Sequence, residues 1–161
     1  MNEYVQGKDV RVQVTVGAPV ERAFQVFTEQ AHRWWPAPYR IGAGGERTDL
    51  VIEPKPGGRW YEVTDDGAEC AWGTVLEWDA PHHLALSWAI TPAFRPETDG
   101  AKASRVDVAF TADGPNRTVV TLVHSGLERH GSGWEQARDA LAADGAWPGV
   151  LGSYAAVTDA V

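Results

Sequence analysis

Apolar and polar residues alternate with a period of two through Val10-Arg11-Val12-Gln13-Val14-Thr15-Val16, the pattern of a strand with one buried face. Gly17-Ala18-Pro19 interrupts it, Pro19 suits a first helical turn, and Ala23, Phe24 and Phe27 follow at helical spacing, which predicts a short helix. His32-Arg33-Trp34-Trp35-Pro36 ends that region, and residues 38–47, with three Gly, read as an irregular loop. Four strands are then predicted: Asp49 to Glu53, Arg59 to Thr64, Glu69 to Trp78 and His82 to Ile90. Their separators carry turn chemistry, Pro54-Lys55-Pro56-Gly57-Gly58, Asp65-Asp66-Gly67 and Asp79-Ala80-Pro81. Connections this short make neighbouring strands antiparallel. After a longer loop, Thr91 to Lys102, the segments Ser104 to Ala112 and Arg117 to His124 form a hairpin around Asp113-Gly114-Pro115-Asn116. From Ser132 the chain is Ala-rich, breaks at Asp144-Gly145, and resumes with Trp147, Val150, Leu151, Tyr154 and Val157 at helical spacing.

This order is strand, short helix, a run of about six strands and a terminal helix, an α+β arrangement in which a curved antiparallel sheet of about seven strands needs that helix as its cover. Period-two arithmetic assigns an inner face: Val10, Val12, Val14, Val16; Leu50, Ile52; Trp72, Thr74, Leu76, Trp78; Leu84, Leu86, Trp88; Val106, Val108, Phe110; Val120, Leu122. The outer face carries Arg11, Gln13, Asp49, Glu77, Ser87, Arg105, Asp107 and Thr121. The same parity places three polar residues inside: Glu62 beside Trp60, Thr74 between Trp72 and Leu76, and His124 after Val120 and Leu122. Buried polar groups of this kind pair with each other, reach water or meet a ligand.

With 161 residues the chain fits one domain, 1–161, with residues 1–8 as a short polar tail. Hydrophobic residues at 43% against 22% charged exclude a disordered chain. The eight Trp exceed what a core of this size needs. A formal net charge of -8 argues against a nucleic-acid partner. One cysteine, Cys70, excludes an internal disulfide and fits a reducing compartment. The polar start and the lack of any long apolar run predict no membrane association, so a cytoplasmic protein is expected. The histidines match no zinc spacing, so no metal is expected, and no cofactor either, since neither double glycine opens a helix after a strand.

Four segments carry a family resemblance: Trp34-Trp35-Pro36, Glu53 through Glu62 with its Pro-Lys-Pro-Gly-Gly-Arg-Trp core, Trp72 through Pro81, and His124-Ser125-Gly126. In this order they resemble the SRPBCC superfamily, which includes START-like and polyketide cyclase-like proteins, and within it the proteins named for the activator of the heat-shock protein ATPase. The resemblance implies the helix-grip fold, with an internal hydrophobic cavity between the sheet and a long C-terminal helix.

The leading functional expectation is a binding module for a small hydrophobic or aromatic molecule, because apolar walls with sparse polar atoms are what ligand pockets offer. Trp60, Trp72, Trp78, Trp88 and Tyr154 would be walls, with Phe110, Leu122, Trp147 and Leu151 completing the lining. Glu62, Thr74 and His124 would be polar handles, and Trp34, Trp35 and Tyr39 a mouth. A second expectation is an enzyme of the polyketide cyclase or dehydratase type, with His124 and Glu62 as acid and base. No Gly-x-Ser-x-Gly elbow or activated cysteine supports nucleophilic chemistry. A chaperone-regulating partner is suggested by the family name alone and is not expected; a homodimer through the Trp34-Trp35 region is an alternative use of the surplus aromatics.

Overall fold

The structure, a computed structural model, describes residues 4–35, 48–64, 66–93 and 95–159. Its strands are β1 (Val5–Gln6), β2 (Asp9–Val16), β3 (Thr48–Ile52), β4 (Arg59–Thr64), β5 (Glu69–Asp79), β6 (His83–Trp88), β7 (Ser104–Ala112) and β8 (Thr118–Ser125). Its helices are α1 (Val20–Glu29), α2 (Ala31–Trp34), α3 (Trp134–Leu141) and α4 (Trp147–Asp159). The strands form one antiparallel sheet in the order β1-β2-β8-β7-β6-β5-β4-β3. Every pairing joins sequence neighbours except β2 with β8, in which Val10 faces His124 and Val12 faces Leu122. That one long-range pairing brings the chain's beginning against its last strand, and α4 packs across β2.

Part of the expected polar tail belongs to the sheet, since β1 pairs antiparallel with β2, Val5 opposite Val10. Tyr4, Val5 and Val14 pack on the core from its edge. The C-terminal helical region is broken where Asp144-Gly145 predicts. The second piece, α4, packs on β2, α1 and α2, whereas α3 packs mainly beside the short 3₁₀ turn Leu127–His130.

Helix α1 buries Val20, Ala23, Phe24, Val26 and Phe27, one stripe at helical spacing. Three hydrogen bonds lock the helices to one another: the Trp34 indole N–H donates to the Val26 carbonyl at 3.0 Å, Ser153 Oγ donates to the Trp34 carbonyl at 2.6 Å, and the Tyr154 hydroxyl donates to the Ala23 carbonyl at 2.7 Å. Burial holds the Tyr154 hydroxyl protonated well above the usual tyrosine range. No described helix is long and apolar enough to cross a membrane.

The face assignment fails in β5. Thr74 is exposed and Leu76 is 41% exposed, although both were expected inside. Two register shifts cause this, one between Trp60 and Tyr61 in the β4–β5 ladder and one between Val75 and Glu77 in the β5–β6 ladder. Each adds a residue to β5, so its inward positions fall at Trp72, Val75 and Trp78, three apart instead of two. The outer face of the central strands is as expected and carries an ion network. Arg105 donates to Asp107 at 2.9 and 3.0 Å and to Glu77, and His83 Nε2 lies 3.0 Å from Asp107. Burial works against the Asp107 carboxylate, but Arg105 and His83 together hold it below the usual aspartate range. Glu77, His83 and Asp107 bring ligand atoms within 4.8 Å of one another, and the Arg105 guanidinium already supplies the cation there.

Candidate ligand-binding site

Six indoles meet in the grip. Trp35 packs against Trp34, Trp60, Trp72 and Trp147 with ring centroids 5.7, 6.4, 4.9 and 5.6 Å apart, and Trp88 contacts Trp60, Trp72 and Trp147 at 5.9, 6.4 and 5.4 Å. Most of these contacts are edge-to-face or tilted, the arrangement that favours aromatic pairs. Trp34 and Trp35 were expected at a mouth; both are buried, folded inward by α2. Tyr39 lies outside the described residues. The indoles nearly fill the interior. A void of about 10 Å³ remains, lined by Phe27, Trp35, Leu50, Ile52, Trp60 and Trp147 among others, room for at most about one water molecule.

The cluster depends on a glycine. Trp60 reaches across β5 to donate its N–H to the Ser87 carbonyl at 2.7 Å, and Gly73 lies beneath that bond. A Cβ on Gly73 would collide with the Ser87 carbonyl and stand 2.6 Å from Trp60 Nε1. Thr74, expected as an interior handle, instead takes its place on the outer face with a backbone N–H to Ser87 Oγ at 2.8 Å.

Trp78 belongs to a different space. It is half-buried, packs edge-on against Phe24 at 5.1 Å, and lines a groove of about 660 Å³ between α1, β3 and the β5–β6 turn. That volume is within the range of small-molecule sites. Phe24, Ile52, Pro54 and Pro81 give it an apolar floor, with Glu21, Gln25, Glu29, His32 and Asp49 around it. Leu50 and Ile52 line both the groove and the interior void, so β3 is the partition between them. Phe110 sits between Phe24 and Phe27 at 5.1 and 5.5 Å, Tyr154 packs on Phe27 and Trp34, and Leu122 and Leu151 are fully buried.

Glu62 and His124 are inside, as parity predicts, with 1% and 0% exposure. They are held by separate sets of partners. Glu62 Oε1 accepts from the Trp72 indole N–H at 2.8 Å. His124 Nδ1 accepts from the Trp147 indole N–H at 3.1 Å, and its Nε2 lies 2.7 Å from Ser104 Oγ. Ser104 Oγ also lies 2.7 Å from His130 Nε2. An indole N–H only donates, so His124 Nδ1 carries no proton and Nε2–H donates to Ser104. The single Ser104 proton then goes to His130 Nε2, which leaves the His130 proton on Nδ1, where no acceptor is found among the described residues. Desolvation, helped by neighbouring His130, pushes the His124 pKa down to about 3, so the imidazole is neutral, as this bond pattern requires. Burial lowers His130 too, against an opposing pull from Glu97.

Sequence reasoning missed Ser104 and His130. Ser104 shares parity with Val106 and Val108 and so was legible as inward-facing. His130 carries no periodic signal, because Gly126, at a φ of 72°, turns the chain out of β8 into the 3₁₀ turn that brings His130 back over Ser104.

Residues 17–153 match the family model described as activator of Hsp90 ATPase homolog 1-like protein. The chain belongs to this family. Among solved structures, this member of the activator of Hsp90 ATPase homolog 1-like family is similar to the anthrahydroquino-γ-pyrone synthase Txn09, solved as a complex, with 42% identity over 98% of this chain and 99% of that one and a TM-score of 0.66. It is similar also to CalC of Micromonospora echinospora, described as a self-sacrificing resistance protein, with 30% identity over 94% of each chain and a TM-score of 0.66. An Arthrobacter aurescens protein, at 18% identity over 95% and 87% with a TM-score of 0.67, shares the fold. No curated protein matches the chain.

Proposed function

We propose that this family member binds a planar polycyclic aromatic molecule of the polyketide type, admitted through the groove beside α1 and seated against the indole cluster behind β3. The observation that carries this reading is the contiguous wall of Trp35, Trp60, Trp72, Trp88 and Trp147, next to a groove of ligand size with which it shares Leu50 and Ile52 as a boundary. Ring faces and edges at these spacings match a flat aromatic better than a flexible acyl chain. Seating the ligand requires the indoles to part, because the remaining void is far too small for it. The likeness to a synthase whose named product combines an anthrahydroquinone with a pyrone supports the same ligand class.

Titration with 2,6-dihydroxyanthraquinone, followed by tryptophan quenching and by thermal shift, tests it. Saturable quenching with a Tm that rises with ligand concentration is expected. Failure of this and related tricyclic compounds to bind would refute the reading.

The name of that same neighbour favours a second reading, a cyclase-type enzyme that closes a ring on the bound aromatic. His124 and Glu62 do not serve as a joined acid-base pair in the unliganded arrangement, since each is engaged by an indole N–H. Catalysis by them would therefore also require the indoles to move. Conversion of an uncyclised polyketide-type precursor by purified protein, read by mass spectrometry and ultraviolet absorbance, separates an enzyme from a carrier.

A further inference from the structure

The hydrogen-bond chain through His124 assigns one atom of the buried site a recognisable task. We propose that His124 Nδ1 is the acceptor that reads a hydroxyl group on the bound aromatic, and that the Trp147 indole N–H stands in for that hydroxyl in the unliganded protein. This rests on the reading above that a planar aromatic is bound.

The argument begins with polarity. His124 is fully buried and neutral, and the indole N–H donated to Nδ1 leaves the imidazole proton on Nε2, where Ser104 accepts it. Nδ1 is therefore a fixed acceptor in an apolar enclosure, with Trp88 5.2 Å from its ring. A buried acceptor left without a donor is costly, so something must donate to it in every state of the protein. In the unliganded state the donor is Trp147. Yet Trp147 also lines the filled void and packs edge-on against Trp35 and at a tilt on Trp88, so it is among the rings that must shift when a ligand takes that space. It is the first residue of α4 and follows directly on the turn that separates α3 from α4, so its place in the chain lets it shift without unwinding a helix interior. When it shifts, its N–H leaves Nδ1, and a ligand that cannot donate leaves the imidazole orphaned. A phenolic or hydroquinone O–H replaces the lost donor; a methyl ether or a bare ring edge does not.

Ser104 and His130 are positioning residues in this scheme. The Ser104 hydroxyl joins His124 Nε2 to His130 Nε2 and gives the Nε2 proton its acceptor while the donor at Nδ1 passes from Trp147 to the ligand. The arrangement thus selects for a hydroxylated aromatic rather than for aromatic surface alone.

The test compares three probes on the wild-type protein: 2,6-dihydroxyanthraquinone, its dimethyl ether, and unsubstituted anthraquinone, which is smaller than either and removes a steric explanation. The hydroxylated probe is expected to bind about tenfold or more tightly than both others, the discrimination a buried acceptor left unpaired produces. Trp147→Phe, which keeps an aromatic ring and deletes the competing donor, is expected to tighten the hydroxylated probe and anthraquinone alike by several-fold, because the free variant already lacks the bond that either probe displaces, and to keep the gap between them. In ¹⁵N NMR, His124 is expected to keep its proton on Nε2 before and after that probe binds. Equal affinities for all three probes, or a proton found on Nδ1, overturn the assignment while leaving aromatic binding intact. If none of the three binds, both this inference and the proposed function fall.

Discussion

Acid should destabilise this protein well above the pH at which its carboxylates titrate. His124 is neutral when folded, with its pKa pushed from an ordinary 6.5 down to about 3, and it recovers its ordinary value on unfolding. The unfolded chain therefore binds a proton between pH 6.5 and 3 that the folded chain refuses, and stability present above 6.5 is lost as pH falls through that window. Each pH unit below 6.5 removes about 1.4 kcal/mol, so by pH 5 His124 alone costs about 2 kcal/mol. His130 is shifted in the same direction and steepens the slope. Asp107, whose pKa is lowered, adds its own loss only further down, below about 3.8. The net charge of -8 relaxes as pH approaches the isoelectric point near 5.0, which favours the compact state, so a measured loss is a lower bound on the histidine effect. Urea unfolding at pH 7.5, 6.5, 5.75 and 5.0 measures it directly. His124→Gln should be less stable at neutral pH and should show a shallower slope by about one proton. Equal pH slopes for the wild-type protein and His124→Gln, in which the charge relaxation is shared, would refute the buried neutral histidine.

Ser104→Ala should cost about 2 kcal/mol in urea unfolding at pH 7.5, because it leaves the His124 Nε2–H without an acceptor and His130 Nε2 without a donor; a change below 0.5 kcal/mol, taken as roughly the scatter of ordinary surface substitutions, would dismiss the relay. Trp72→Phe deletes the N–H that Glu62 Oε1 accepts and should destabilise by about 2 kcal/mol, whereas Trp72→Phe combined with Glu62→Gln should cost less than the two changes summed, by double-mutant cycle. Gly73→Ala should be the most damaging small substitution, about 3 kcal/mol or an insoluble protein, since the new methyl collides with the Ser87 carbonyl and the Trp60 bond; normal expression with an unchanged Tm would contradict the close approach. Tyr154→Phe should lose about 1 kcal/mol with the bond to Ala23, and a neutral result would show that α4 needs no polar tie to α1.

Much of this protein was legible before any coordinates. Strict alternation in β2, β7 and β8, with turn residues between consecutive strands, determines an antiparallel sheet with one apolar face, because the side-chain period of a strand leaves no other reading. The same parity places Glu62, His124 and most of the tryptophans inside. It fails at Thr74 and Leu76, where two bulges change the period from two to three, and a bulge depends on how adjacent strands register rather than on either strand's own residues. Gly73, alone within a strand pattern, was the one local sign of it. The rest was decided by residues far apart in the chain. Whether the tryptophans line a cavity or fill it depends on how the six clustered rings pack across α2, three strands and α4, and here they pack edge to face or tilted until almost no space remains between them. Whether His124 is a free base or an acceptor depends on Ser104, His130 and Trp147, linked through bonds that span 20, 26 and 23 residues of sequence and join different elements. Sequence pattern determines which face a side chain takes. Which atom meets it there is settled only when the whole grip closes, because a hydrogen bond is fixed by distances of a few tenths of an ångström that no local period encodes.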